Sequence, residues 1–105
     1  MLPAPTTCEV IEAALSAPRD YPSPERLRYL YAAARQVIQE LTPLVAAQVE
    51  HAAPGPERAS RERAVDEAEA VMGEGLSPSP LAASLTVSAL GRALWGLHQF
   101  AGGEA

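Results

Sequence analysis

The chain has 105 residues, a formal net charge of -5 and 48% apolar residues, of which few are aromatic. This length is typical of one domain with a thin core, so we expect a single domain over 1–105 with frayed ends at 1–5 and 102–105. The negative charge disfavours nucleic acid and anionic membranes as general partners, because both repel it at long range.

The basic residues exclude several kinds of chemistry. All eight are Arg and none is Lys, so a Walker-type phosphate loop, a Schiff-base lysine and a Ser-x-x-Lys nucleophile are ruled out. The single Cys8 cannot form an intrachain disulfide. The first residues lack a basic start and an apolar run, and no stretch reaches about 18 apolar residues. We therefore expect a cytoplasmic protein with no membrane partner.

The first predicted helix covers 7–16. Thr6 and Glu9 have the spacing of a capping box, in which the hydroxyl and the carboxylate each accept a hydrogen bond from a free backbone N–H. An apolar face follows at Val10, Ile11, Ala14 and Leu15. Pro18 falls in the connector that ends this helix, since proline disrupts a helix interior.

The second predicted helix is long and covers 24–52. Ser23 is placed as its N-cap and Pro24 as its first residue. Its apolar stripe keeps a helical period across Pro43, which predicts a kink there. The alternative is that Thr42 caps a new helix starting at Pro43. A continuous helix of about 40 Å would overhang a compact domain of roughly 35 Å and would need to be covered.

The last two predicted helices cover 56–72 and 80–100. The turn Pro54-Gly55-Pro56 precedes the third helix, which is strongly charged on its outer side, and we expect left-handed Gly73 and Gly75 to end it. The fourth helix carries one formal charge, at Arg92, and is apolar or small on all sides. A helix of that composition is usually buried.

No motif for catalysis or metal binding is found. Neither His51 nor His98 has a Glu three residues before it, as a carboxylate-bridged metal bundle requires, and Cys8 has no His near it in the sequence. Arg residues cluster on the second and third helices, where we expect a solvated face: Arg26, Arg28, Arg35, Arg58, Arg61 and Arg63. The fourth helix is too apolar to read DNA bases. We expect no enzyme, no catalytic residue, no cofactor and no metal.

Three segments carry a family resemblance: residues 37–45 (VIQELTPLV), the Arg-rich Ala/Glu stretch 58–70, and residues 90–94 (LGRAL). Together they resemble small uncharacterised helical proteins of high-GC actinobacteria over residues 24–101. The resemblance implies a helical fold and a bacterial cytoplasmic setting, and it implies no activity, ligand or site.

The sequence thus predicts an all-α, small antiparallel four-helix bundle in which the second and fourth helices form the core pair. Their apolar stripes exceed what one small chain can cover, so we expect a non-enzymatic interaction module that forms a homodimer. The expected interface residues are Leu41, Leu44, Val45, Val49, Leu90, Leu94, Trp95 and Leu97. One alternative is a small acidic regulator that titrates another protein through the third helix. Another is a ligand- or DNA-binding regulator with a pocket beside Trp95 and His98.

Overall fold

The computed structural model describes residues 5–101 and contains four α-helices and no strand in that range. They are α1 (Thr7–Asp20), α2 (Pro24–His51), α3 (Pro56–Met72) and α4 (Pro80–Ala101). The predicted all-α bundle is confirmed, and the starts of all four helices agree with the prediction. The predicted fraying of 1–5 and 102–105 falls outside the described residues, apart from Pro5, which precedes α1.

Helix α1 begins as predicted and ends four residues later than predicted. The hydroxyl of Thr6 accepts from the Glu9 N–H at 3.1 Å, and the Glu9 carboxylate accepts from the Thr6 N–H at 2.7 Å. The predicted end at residue 16 is wrong, because α1 continues through Pro18 to Asp20. Ala17 is buried in the core, so the residues around Pro18 are part of the packed bundle, where tertiary contacts stabilise a helix beyond its local propensity.

Helix α2 runs unbroken through Pro43, which confirms the continuous helix and excludes a new helix capped by Thr42. The Thr42 hydroxyl donates to the Ile38 carbonyl at 2.7 Å, one turn back along the same helix. The end of α2 is covered within the chain, since the Gln48 side chain donates to the Phe100 carbonyl of α4 at 2.9 Å. The domain measures 44 × 31 × 19 Å, so it is as long as α2 and only about two helix diameters thick. Val45, in the last two turns, is fully buried.

Helix α3 is bounded differently at its two ends. Gly55, just before it, has φ 154°, a backbone conformation that favours glycine. The expected left-handed cap at its end is wrong, because Gly73 is right-handed with φ -80°. The N–H of Gly73 instead bonds back to the Ala70 carbonyl at 3.2 Å, and the N–H of Glu74 bonds to the Val71 carbonyl at 3.1 Å. A tightened last turn therefore ends the helix.

Helices α2 and α4 form the core pair, as predicted, and α1 and α3 each pack against both of them. The core is continuous along α4, and its largest fully buried side chains are Leu27, Leu30, Ile38, Val45, Val87, Leu90, Leu94 and Leu97. Ala14 and Ala17 of α1 and Ala64 and Ala68 of α3 are also buried. Small residues on the two flanking helices let them lie close to the pair. One side of α4 is left facing solvent.

Candidate interaction surface

One side of α4 carries a row of residues spaced by four and three positions, which we call the α4 outer row: Leu81, Leu85, Ser88, Arg92, Trp95 and Gln99. All of them are exposed except Ser88, which is buried. Residues at this spacing lie on one face of a helix. The side chain of Leu81 is 65% exposed, that of Leu85 is 54% exposed and that of Trp95 is 49% exposed. Three large apolar side chains thus share one exposed face.

Arg92 and Ser88 are joined inside this row. The Arg92 guanidinium donates to the Ser88 hydroxyl at 3.1 Å, one turn back along α4. Ser88 is buried and Arg92 is exposed. Arg92 carries the only formal charge of α4. Its side chain therefore bends back along the helix toward Ser88, between Leu85 and Trp95.

A close contact between α1 and α4 sets the edge of this surface. Gly91 is buried, and a Cβ built on it would lie 2.9 Å from the Cβ of Ala14 and 3.2 Å from the backbone nitrogen of Leu15. Only a glycine allows the two helices to lie this near. The contact brings the partly exposed side chain of Leu15 beside α4.

The structure divides the eight residues predicted for an interface. Val45, Leu90, Leu94 and Leu97 are buried in the chain's own core and have no exposed surface for a second molecule. Leu41 and Val49 are half-buried, Leu44 is 54% exposed, and Trp95 belongs to the α4 outer row. The main stripe of α4 is thus covered within one chain and that of α2 is covered in part, and the exposed apolar surface of α4 lies on its other side. The spacing of Leu81 and Leu85 places them on one side of α4. Because apolar or small residues surround the whole helix, the sequence does not show which side faces solvent.

Cys8 and His98 are brought together although they are 90 residues apart. The Cys8 sulfur lies 3.7 Å from the His98 Nε2, because α1 and α4 run antiparallel. This contact could not be predicted from the spacing of the two residues in the sequence. Within residues 5–101, no group of three His, Cys, Asp or Glu side chains is arranged to hold a metal ion.

Some of the six Arg residues expected on a solvated face are instead partly buried and bonded within the bundle, so the expectation holds only in part. Arg35 of α2 donates to the Met72 carbonyl at 2.8 Å, at the end of α3. Arg61 of α3 donates to the Gln48 side-chain oxygen at 3.1 Å and lies 4.8 Å from the ring centre of Phe100. Their charges are engaged by helix ends and by an aromatic ring. Arg26, Arg28 and Arg63 are exposed, as expected.

One cavity of about 250 Å³ lies under the α3–α4 connector, and Leu27, Leu76, Pro78 and Ala83 are among its lining residues. Trp95 and His98 are not among them. They lie 12 or more residues farther along α4 than Ala83, which is at least about 18 Å at 1.5 Å per residue. This cavity is therefore not the pocket expected beside Trp95 and His98.

The fold and this surface together define a small antiparallel helical bundle with an exposed apolar helix face. The chain belongs to a family of unknown function, DUF6415, whose model matches residues 6–101. No curated protein and no solved structure matches the chain. In residues 5–101, no helix combines the length and apolarity needed to cross a membrane.

Proposed function

We propose that the chain is a non-enzymatic helical interaction module that self-associates through the α4 outer row. The observation that supports this is the exposure of Leu81, Leu85 and Trp95 on one face of the least charged helix. Scattered apolar residues are normal on a protein surface, whereas three large ones on a single helix face favour a contact site. The resemblance further favours a bacterial cytoplasmic setting, and we retain it as part of this proposal.

The energy available from this row is adequate for a weak or moderate dimer. Burying a Leu side chain completely is worth roughly 1.5–3 kcal/mol, so covering the exposed half of one gains about 1 kcal/mol. A symmetric dimer makes every such contact twice. Six half-exposed side chains then contribute on the order of 6 kcal/mol before the cost of association. Leu15, at the edge of the row, adds to this area.

The test compares two leucines that are equally exposed. Leu85 lies in the α4 outer row and Leu44 lies on α2, and each is 54% exposed. We expect the native chain to be a dimer by size-exclusion chromatography with light scattering, Leu85→Glu to be a folded monomer and Leu44→Glu to remain a dimer. A native chain that stays monomeric at high micromolar concentration would refute self-association. Loss of the dimer only in Leu44→Glu would move the contact to α2.

A small acidic regulator is the second candidate, and the outer side of α3 favours it. The exposed carboxylates there are Glu57, Glu62, Asp66, Glu67 and Glu69. The one ion pair found among the described residues joins Glu57 to Arg61 at 3.9 Å, so the other four are open to a basic partner. A protein that binds this surface should bind less tightly as salt rises. Replacing Asp66 and Glu67 by Asn and Gln should weaken that binding and leave self-association unchanged.

A further inference from the structure

The α4 outer row has the spacing of a helix–helix contact. Its steps of four, three, four, three and four residues match the a and d positions of a heptad repeat. This pattern spans 18 residue intervals of α4, or roughly 27 Å at 1.5 Å per residue. A second helix with the same repeat fits it along its whole length, and α4 of another copy is such a helix.

Charge favours the same face for contact between copies. Each chain carries a net charge of -5, and α4 contains no Asp or Glu. Two copies therefore repel each other least when their α4 helices meet. The exposed carboxylates of α3 lie on a different helix.

The position of Arg92 decides the orientation of the two helices. If they ran parallel and in register, Arg92 would face Arg92 of the second copy, and like charges would repel. The dipoles of the two helices would also be aligned side by side. If they run antiparallel, a and d positions face each other, so Arg92 lies opposite Ser88 and Leu85 lies opposite Trp95 of the second copy. Ser88 carries no formal charge, so in the antiparallel pair Arg92 does not meet a like charge.

We infer that two copies pair antiparallel through their α4 outer rows, with Leu85 of each packed on Trp95 of the other. This inference rests on the proposed self-association and adds its partner helix and direction. The two-fold axis passes between Ser88 and Arg92, which makes the contact self-complementary and closed at two copies.

Cross-linking tests the direction while Leu85 and Trp95 stay in place. Cys8→Ser removes the native thiol, and in that background we place a cysteine by Leu81→Cys, by Gln99→Cys, or by both. Residues 81 and 99 of different copies face each other only in the antiparallel pair. Within one chain they are roughly 27 Å apart, so a short bismaleimide cannot join them. We expect a covalent dimer from the double variant and none from either single variant or from Cys8→Ser alone.

Each other result contradicts the inference in a distinct way. Covalent dimers from the single variants would establish a parallel pair. A double variant that is dimeric by light scattering but is not cross-linked would place the contact on another face and refute this inference alone. A double variant that is monomeric together with a monomeric native chain would refute the proposed self-association as well. Circular dichroism checks that all variants remain helical, as exposed positions should.

Discussion

Gly91 and Ala14 hold α1 and α4 at a distance that no larger residue permits. A Cβ at Gly91 would lie 2.9 Å from the Cβ of Ala14, which is nearer than such atoms approach in real proteins. The backbone of Leu15 is 3.2 Å from the same point, so the strain could not be relieved by turning one side chain. The position of α1, and with it the edge of the exposed α4 surface, depends on this glycine.

Gly91→Ala should therefore destabilise the fold although alanine is the better helix former. The substitution gains about 1 kcal/mol of helix propensity, but overpacking costs about 1–3 kcal/mol, so we expect a net loss in urea unfolding followed by circular dichroism. Gly96→Ala is the matched control on the same helix. Its Cβ would lie 3.8 Å from the Cβ of Ala64, an ordinary contact, so we expect a gain of up to about 1 kcal/mol. Equal gains in both variants would show that the helices separate easily.

Substitutions at Leu94 and Leu85 should distinguish a loss of folding from a loss of self-association. Leu94 is fully buried whereas Leu85 is half exposed. Leu94→Asp would bury a carboxylate without a partner, at a cost of several kcal/mol that a thin domain cannot sustain, so we expect an unfolded chain by circular dichroism. Leu85→Asp should keep its helicity and lose only self-association. A folded Leu94→Asp variant would mean that the core face of α4 is assigned incorrectly.

The sequence predicts the helices well because apolar period and proline position are local properties. Ser23 and Pro24 define the start of α2 without any tertiary information, and the phase of the apolar stripe across Pro43 predicts the continuous helix. The predictions made from Pro18 and Gly73 are wrong because tertiary contacts, and not local sequence, determine how α1 and α3 end. Ala17 beside Pro18 packs into the core, and Arg35 of α2 donates to the Met72 carbonyl at the end of α3. Neither effect is visible within a few residues of sequence.

The candidate surface is harder to predict because it depends on which side of α4 is covered. Apolar or small residues surround that helix, so its period does not distinguish core from surface. The buried face is chosen by neighbours: Ala14 of α1 opposite Gly91, and Ala64 of α3 near Gly96. Leu81 and Leu85 are then left outside. The pairing of Cys8 with His98 likewise follows from helix direction alone.

Among the arginines of α3, Arg61 should stabilise the bundle most. It donates to Gln48 at 3.1 Å, and Gln48 in turn donates to the Phe100 carbonyl at 2.9 Å, so the three helices α2, α3 and α4 are linked at one end. We expect Arg61→Ala to cost about 1–2 kcal/mol in urea unfolding. Arg63→Ala, at an exposed position of α3, should change stability by less than about 0.5 kcal/mol.

Salt tests the origin of the Arg61 effect. The Arg61–Glu57 ion pair is 3.9 Å long and the Glu57 side chain is 90% exposed, so it contributes little. The hydrogen bond to Gln48 and the contact with Phe100 are partly buried and screened much less. The difference between native chain and Arg61→Ala should therefore persist at high salt. A difference that disappears there would assign it to the ion pair.

Pro43→Ala should stabilise the protein, since Pro43 is exposed and sits inside α2. Proline lacks the N–H that would bond to the Gln39 carbonyl, and a proline in a helix interior costs about 3 kcal/mol. Alanine restores that hydrogen bond and removes the clash of the ring with the preceding turn, so we expect a gain of about 1–2 kcal/mol in urea unfolding. Pro24→Ala is the control, because the N–H at the first position of a helix has no helical acceptor, and its effect should be small. A loss of stability in Pro43→Ala would mean that the packing of α2 in the bundle depends on the proline ring.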